Sequence, residues 1–123
     1  MDVFVNFSNH PSTAWGSEQI AAAEEYGRII DLPFPGLESG LSEDDIKRIG
    51  DVCIKNIMDK NPIAVMCQGE FTLTFYVVNE LMRKGITCVS ACTKRISKEM
   101  MLEDGTVRKE SLFSFEKFRK YIL

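Results

Sequence analysis

The sequence predicts a single α/β domain, a Rossmann-like three-layer sandwich with a mainly parallel sheet, closed by a C-terminal β-hairpin and a short helix. Three observations carry this expectation. Apolar runs of strand length alternate in order with amphipathic segments of helix length. Two of those runs, "NPIAVMC" and "ITCVSAC", are apolar without alternation, as in parallel strands covered on both faces. At 123 residues, 45% of them hydrophobic, the chain is sized for one domain with one core.

The elements follow in order. "DVFVNF" is a short β-rich run. Ser17 is placed to cap a helix running to Gly27, with Ile20, Ala21, Ala23 and Tyr26 available to its inner face. "RIIDLPF" is a second strand, ended by Pro33 and Pro35, and "PGLESGL" is a loop. In "SEDDIKRIGDVCIKNIMDK" Ser42 and Asp45 have capping spacing, and Ile46, Ile49, Val52 or Cys53, and Ile57 recur at helical intervals. "NPIAVMC" is a third strand. "GEFTLTFYVVNELMRKG" is a third helix stopped by Gly85, and "ITCVSAC" is a fourth strand. "ISKEMMLEDGTVRKESLFSF" then reads as a hairpin turning at "DG". "EKFRKYIL" reads as a terminal helix with Phe115, Phe118 and Tyr121 or Ile122 as its stripe. Residues 1–96 are the expected core, and 97–123 the hairpin and helix.

Composition narrows the function. No run of about 18 apolar residues is present, so no membrane span is expected. The N-terminus "MDVFVNF" has neither the basic region nor the apolar stretch of a signal peptide, and a cytoplasmic protein is expected. The net charge of −3 argues against binding long nucleic acid. Its distribution is uneven: residues 1–82 carry 5 Lys/Arg against 13 Asp/Glu, and residues 83–123 carry 10 against 5. The basic C-terminal third is either a solvated face or the feed to an anion site. Cys53, Cys67, Cys88 and Cys92 match no zinc spacing. The first three sit in apolar segments as small buried hydrophobes, and Cys92 is the one candidate reactive thiol.

In open α/β sheets ligands bind beyond the carboxyl ends of the strands. That rule selects four segments: 6–16, 33–41, 68–72 and 91–97. The first, "NFSNHPSTAW", holds the only histidine and the only tryptophan. Asn6, Ser8 and Asn9 offer donors and acceptors for a sugar or a base edge. Trp15 offers a stacking face, and His10 offers the chain's only imidazole as an acid/base group. The same inventory also suits a turn that caps the first helix, with Trp15 covering the core rim. "CQGEFT" places Gln68, Gly69, Glu70 and Thr72 at a helix start, where free N–H groups suit phosphate. It is neither a GxxxxGK[ST] nor a GxGxxG loop, and a plain strand-to-helix turn explains it as well. "ACTKR" adds Thr93, Lys94 and Arg95, with Ser90 just before; a surface cation pair is the alternative.

No pair of carboxylates at helical spacing points inward as a general acid/base dyad would, no His/Asp/Glu cluster suggests a metal, and no cofactor is indicated. Chemistry at phosphate would then proceed by attack of a ribose 2′-hydroxyl on its own 3′-phosphate. The protein would hold the in-line geometry, and Arg95, Lys94 and the helix N-terminus would supply positive potential.

"VFVNFSNHPS", "GEFT" and "SACTKR" together resemble the small stand-alone CARF-like (CRISPR-associated Rossmann fold) ring nucleases of type III CRISPR systems. The likeness covers about residues 1–96. It implies a homodimer whose two-fold axis passes over the ligand, and metal-independent cleavage of cyclic tetra-adenylate that ends the antiviral signal. By position it assigns Asn6, Ser8 and His10 to the first motif, Gly69, Glu70 and Thr72 to the second, and Arg95 to the basic position. Asn9, between Ser8 and His10, departs from the simpler "NFSHP" form. Other readings of the same residues are a non-catalytic nucleotide sensor or sponge, a small-molecule enzyme using His10 or Cys92, and an interaction protein.

Overall fold

The computed structural model describes residues 1–123. In chain order it contains β1 (Val3–Ser8), a short 3-10 turn (Ser12–Ala14), α1 (Ser17–Glu24), β2 (Arg28–Pro33), α2 (Glu43–Met58), β3 (Ala64–Cys67), α3 (Phe71–Arg83), β4 (Thr87–Met101) and β5 (Val107–Lys120). The five strands form one sheet in the order β2-β1-β3-β4-β5. The first four are parallel, and β5 returns antiparallel along β4. The chain is thus an α/β protein with a mostly parallel sheet.

Local sequence chemistry accounts for the main helices. Ser42 and Asp45 form a reciprocal capping box on α2, at 3.1 and 2.9 Å. The Val52/Cys53 ambiguity is decided for Cys53, which is buried with Ile54 and Ile57, while Val52 is exposed. α3 ends in paired bonds from Gly85 N–H to the Met82 carbonyl and from Ile86 N–H to the Leu81 carbonyl. That closure needs the left-handed backbone Gly85 adopts, φ +82°.

The sheet is covered on both faces. Val3, Val5, Phe7, Val65, Cys67 and Cys88 pack with α2 and α3, while Phe4, Ala64, Met66 and Val89 pack with Ala23 of α1. β1 is buried along its whole length, since every side chain on either face meets a covering layer. β1 also has β2 on one side and β3 on the other. The chain winds outward from it in both directions, which opens a crevice beyond the carboxyl ends of β1 and β3.

Three sequence expectations are corrected. First, α1 is shorter than expected: Gly16 occupies the N-cap, Ser17 is the first helical residue, and the helix stops at Glu24. Second, no loop spans 91–97. β4 runs unbroken through Lys94 and Arg95 to Met101, so the hairpin begins inside the fourth strand. Its turn does use "DG": Gly105 has φ +84°, and Asp104 accepts from Thr106 N–H at 3.0 Å. Third, "EKFRKYIL" forms no helix, because β5 continues to Lys120. A bulge explains the misreading. Cys92 pairs with Lys117 but Thr93 pairs with Phe115, which leaves Glu116 as an extra residue. The bulge turns Phe115 and Phe118 to the same side, ring centroids 5.0 Å apart, so their three-residue spacing imitates a helical stripe.

Candidate functional site

At the end of β1 the polar residues turn inward. Asn6 and Ser8 are buried, with 1% and 4% of their surface exposed. Both Asn6 amide hydrogens are used: Nδ2 donates to the His10 carbonyl at 2.9 Å and to Asp31 Oδ1 at 3.0 Å. Ser8 Oγ donates to Asn6 Oδ1 at 2.7 Å and accepts from His10 N–H at 3.1 Å. Asp31 Oδ2 accepts from Ser12 N–H and from Ser12 Oγ, at 3.1 and 2.9 Å. Trp15 Nε1 donates to the same His10 carbonyl at 2.9 Å. A closed network of this kind fixes one turn geometry, since every buried polar group has its partner. It holds the His10 backbone from both sides and leaves the imidazole exposed.

His10 borders a cleft of about 690 Å³ on the α1 side of the sheet. Trp15, Gln68 and Thr93 line it with His10, so four of the residues singled out in the sequence converge there. Gln68 extends the β3–β4 ladder: its Oε1 accepts from Ala91 N–H at 2.5 Å. Phe113 and Phe115 of β5 close the far side. The lining holds one charged group, Glu18, and no Lys or Arg. Three aromatic faces edged by imidazole, amide and hydroxyl groups suit a flat heterocycle with polar edges, in a volume ordinary for small-molecule sites.

The other candidate residues lie elsewhere. Asn6 and Ser8 sit beneath the turn, and Asn9 is exposed outside the cleft lining. At α3, Glu70 is the N-cap. Its carboxylate accepts from the Thr72 N–H, from Thr72 Oγ1 at 2.6 Å and from Leu73 N–H at 3.4 Å. The Thr72 hydroxyl, with those N–H groups, holds the Glu70 carboxyl below its ordinary pKa. An anion supplied by the chain itself thus occupies this helix start. Gly69 serves packing, for a Cβ there would fall 2.5 Å from the Phe34 ring. Arg95 pairs across the ribbon with Phe113 at the cleft rim, but its guanidinium donates to Ser111 Oγ, at 2.9 Å from Nη2. Lys94 alternates to the opposite ribbon face.

Burial raises the Cys53 thiol pKa and drives that of Cys88 up to about 12, while Cys67 is shifted upward further; all three are packing groups. Cys92 is half-buried and absent from the cleft lining. Sequence reasoning missed Asp31, Phe113 and Phe115. The signal for Asp31 was a lone acid inside an apolar strand, and it stands directly across from Asn6. The bulge gave Phe115 a helical spacing, while Phe113 was read as a strand residue of the hairpin with no signal that it faces a cleft.

Residues 2–119 match the uncharacterized protein MJ1673 family, and the chain belongs to that family. No curated protein and no solved structure matches it.

Proposed function

We propose that this MJ1673-family protein is a Rossmann-like cytoplasmic protein that binds cyclic oligoadenylate, above all cyclic tetra-adenylate, in the cleft beside His10. In this reading it cleaves the ring and switches off type III CRISPR signalling. It acts as a homodimer with the ring on the two-fold axis, since a ring with rotational symmetry suits a symmetric pair of sites. The supporting observation is the convergence of His10, Trp15, Gln68 and Thr93, from three separate segments, with Phe113 and Phe115 around one cleft.

An adenine stacks on Trp15 or the phenylalanines, and the unpaired amide nitrogen of Gln68 and the Thr93 hydroxyl meet its edge. The nucleophile is the ring's own 2′-hydroxyl. It attacks the adjacent phosphorus as the P–O5′ bond breaks. His10 takes the 2′-hydroxyl proton, and water protonates the leaving 5′-oxygen. The products are a 2′,3′-cyclic phosphate end and a 5′-hydroxyl end. Arg95 contributes charge only after leaving Ser111.

A lining without Lys or Arg favours a second reading, a sensor or sponge that binds the ring without turnover. Incubation with cyclic tetra- and hexa-adenylate in the presence of chelator, followed by chromatography, separates the two. Linear products support the nuclease, and intact rings co-eluting with the protein support the sponge. Intact rings without binding overturn both.

A further inference from the structure

Two polar side chains of the cleft have a fixed hydrogen-bonding sense. The first is Gln68. The β3–β4 ladder stops at Met66↔Val89, and two residues further on the Ala91 N–H donates to the side-chain oxygen of Gln68 instead, at 2.5 Å. Turning the amide over would set its NH2 against that N–H, donor against donor, in a half-buried place. The oxygen is thus committed, and the cleft receives only the hydrogens of Nε2. The second is Glu18, in the first turn of α1. It is exposed and takes no part in the ion pairs of the chain, and a carboxylate only accepts. Its neighbour Gln19 brings this turn to the end of β3, with Nε2 at 3.9 Å from Met66 Sδ. Met66 and Gln68, two residues apart, line the same cleft as Glu18 and Gln19. Beside its aromatic faces the cleft therefore offers a locked donor, a charged acceptor and no cation.

We infer that Glu18 and the locked amide of Gln68 are the specificity-determining pair of the cleft, and that they select a 6-aminopurine over a 6-oxopurine. The stacking faces of Trp15, Phe113 and Phe115 hold any purine alike and cannot choose between the two. The edge can. In adenine a ring nitrogen accepts from Gln68 Nε2, and the adjacent amino group donates to Glu18. In hypoxanthine a carbonyl oxygen replaces the amino group and an N–H replaces the bare nitrogen. Both contacts then become like against like, which is how a site rejects a close analogue. The inference rests on the reading that the cleft holds a base; it needs neither a ring, a dimer nor cleavage.

Trp15 is the only tryptophan and lines the cleft, so its fluorescence reports occupancy. Titration of the full chain with adenosine and with inosine tests the selection. Adenosine is expected to bind about 10- to 100-fold more tightly, the discrimination of a paired donor and acceptor on a base edge. In Glu18→Gln that ratio should fall to near one, because a free amide turns to present whichever group the base requires. Glu18 is exposed and unpaired, so this variant keeps the fold. Gln68→Glu keeps an oxygen for the Ala91 N–H but replaces the donor by a second oxygen, and should weaken adenosine about tenfold. Equal binding of the two nucleosides by the wild type overturns the inference, and so does the absence of quenching by either at millimolar concentration. An unchanged ratio in Glu18→Gln removes Glu18 from the pair, and unchanged adenosine affinity in Gln68→Glu removes Gln68. A protein that selects adenosine but binds no cyclic tetra-adenylate overturns the ring reading and leaves the pair standing. One that binds the ring and does not distinguish the nucleosides does the reverse.

Discussion

Two turns on the same edge of the sheet carry similar polar inventories and use them in opposite ways. After β1, Asn6, Ser8, Ser12 and Asp31 are consumed in holding the backbone, and the reward is a presented imidazole and indole at a cleft. After β3, Glu70 and Thr72 satisfy one another and the first N–H groups of α3 and present nothing, so that Gln68 alone reaches the cleft from this turn. A polar residue at a strand's carboxyl end is therefore not yet a ligand group. What separates the turns is whether the polar atoms support an outward residue or close on themselves.

The sharpest test of that contrast is the presented residue. His10→Ala is expected to lower the cleavage rate by about 10²- to 10⁴-fold, the range for losing a general base. Ring affinity should change little, because the turn is built from the His10 backbone and the backbone stays. Single-turnover cleavage beside equilibrium binding separates the two quantities. A rate equal to wild type would reduce His10 to a turn residue and make the two turns alike.

Next in size is the support. Asn6→Ala leaves a gap in a buried site, takes from the Ser8 hydroxyl its acceptor, and removes one donor each from Asp31 and from the His10 carbonyl, which keeps Trp15 Nε1. About 1–3 kcal/mol of stability should be lost, the cost of a buried polar group left short of its partner. Thermal unfolding should show a drop on the order of 10 °C for a domain of this size. Unaltered stability with abolished binding would mean that Asn6 touches the ligand, against the network described here. Trp15→Ala should cost about 1–3 kcal/mol of ring affinity, the range for one base stack. Titration by fluorescence polarisation measures it, and full affinity would move the base to Phe113 or Phe115.

The same contrast explains what was legible in the sequence. The order of strands and helices through "ITCVSAC" was readable because each element agrees with its own periodicity and caps, as with Ser42 and Asp45. The β1 turn was readable as special but not as inward-facing, for that depends on Asp31 arriving from β2. The ribbon failed at one residue. Glu116 breaks the two-residue alternation, so Phe115 and Phe118 carried a helical spacing into a strand, and Phe115 was read as part of a helix rather than of the cleft wall. Lys94 and Arg95 were misplaced for a related reason. Nothing in "CTKR" marks a strand end, and β4 does not end there.

The smallest expected effect probes the self-closed turn. Glu70→Gln keeps an oxygen for the N–H groups of α3 but removes the charge that favours the positive helix end. A loss of about 0.5–1 kcal/mol is expected at neutral pH, ordinary for a helix cap. Ring affinity should not move, because Glu70 is absent from the cleft lining. The pH dependence supplies the sign. The folded-state pKa of Glu70 is lowered, so its ionised form stabilises the fold fully above the ordinary carboxylate pKa. That contribution fades as the pH falls through the lowered value, and the difference between wild type and Glu70→Gln should fade with it. Denaturant unfolding at pH 7 and at successively lower pH measures the convergence. A difference that persists at low pH would assign the cap to shape rather than charge. A loss of ring binding in this variant would return the α3 turn to the site and dissolve the contrast between the two turns.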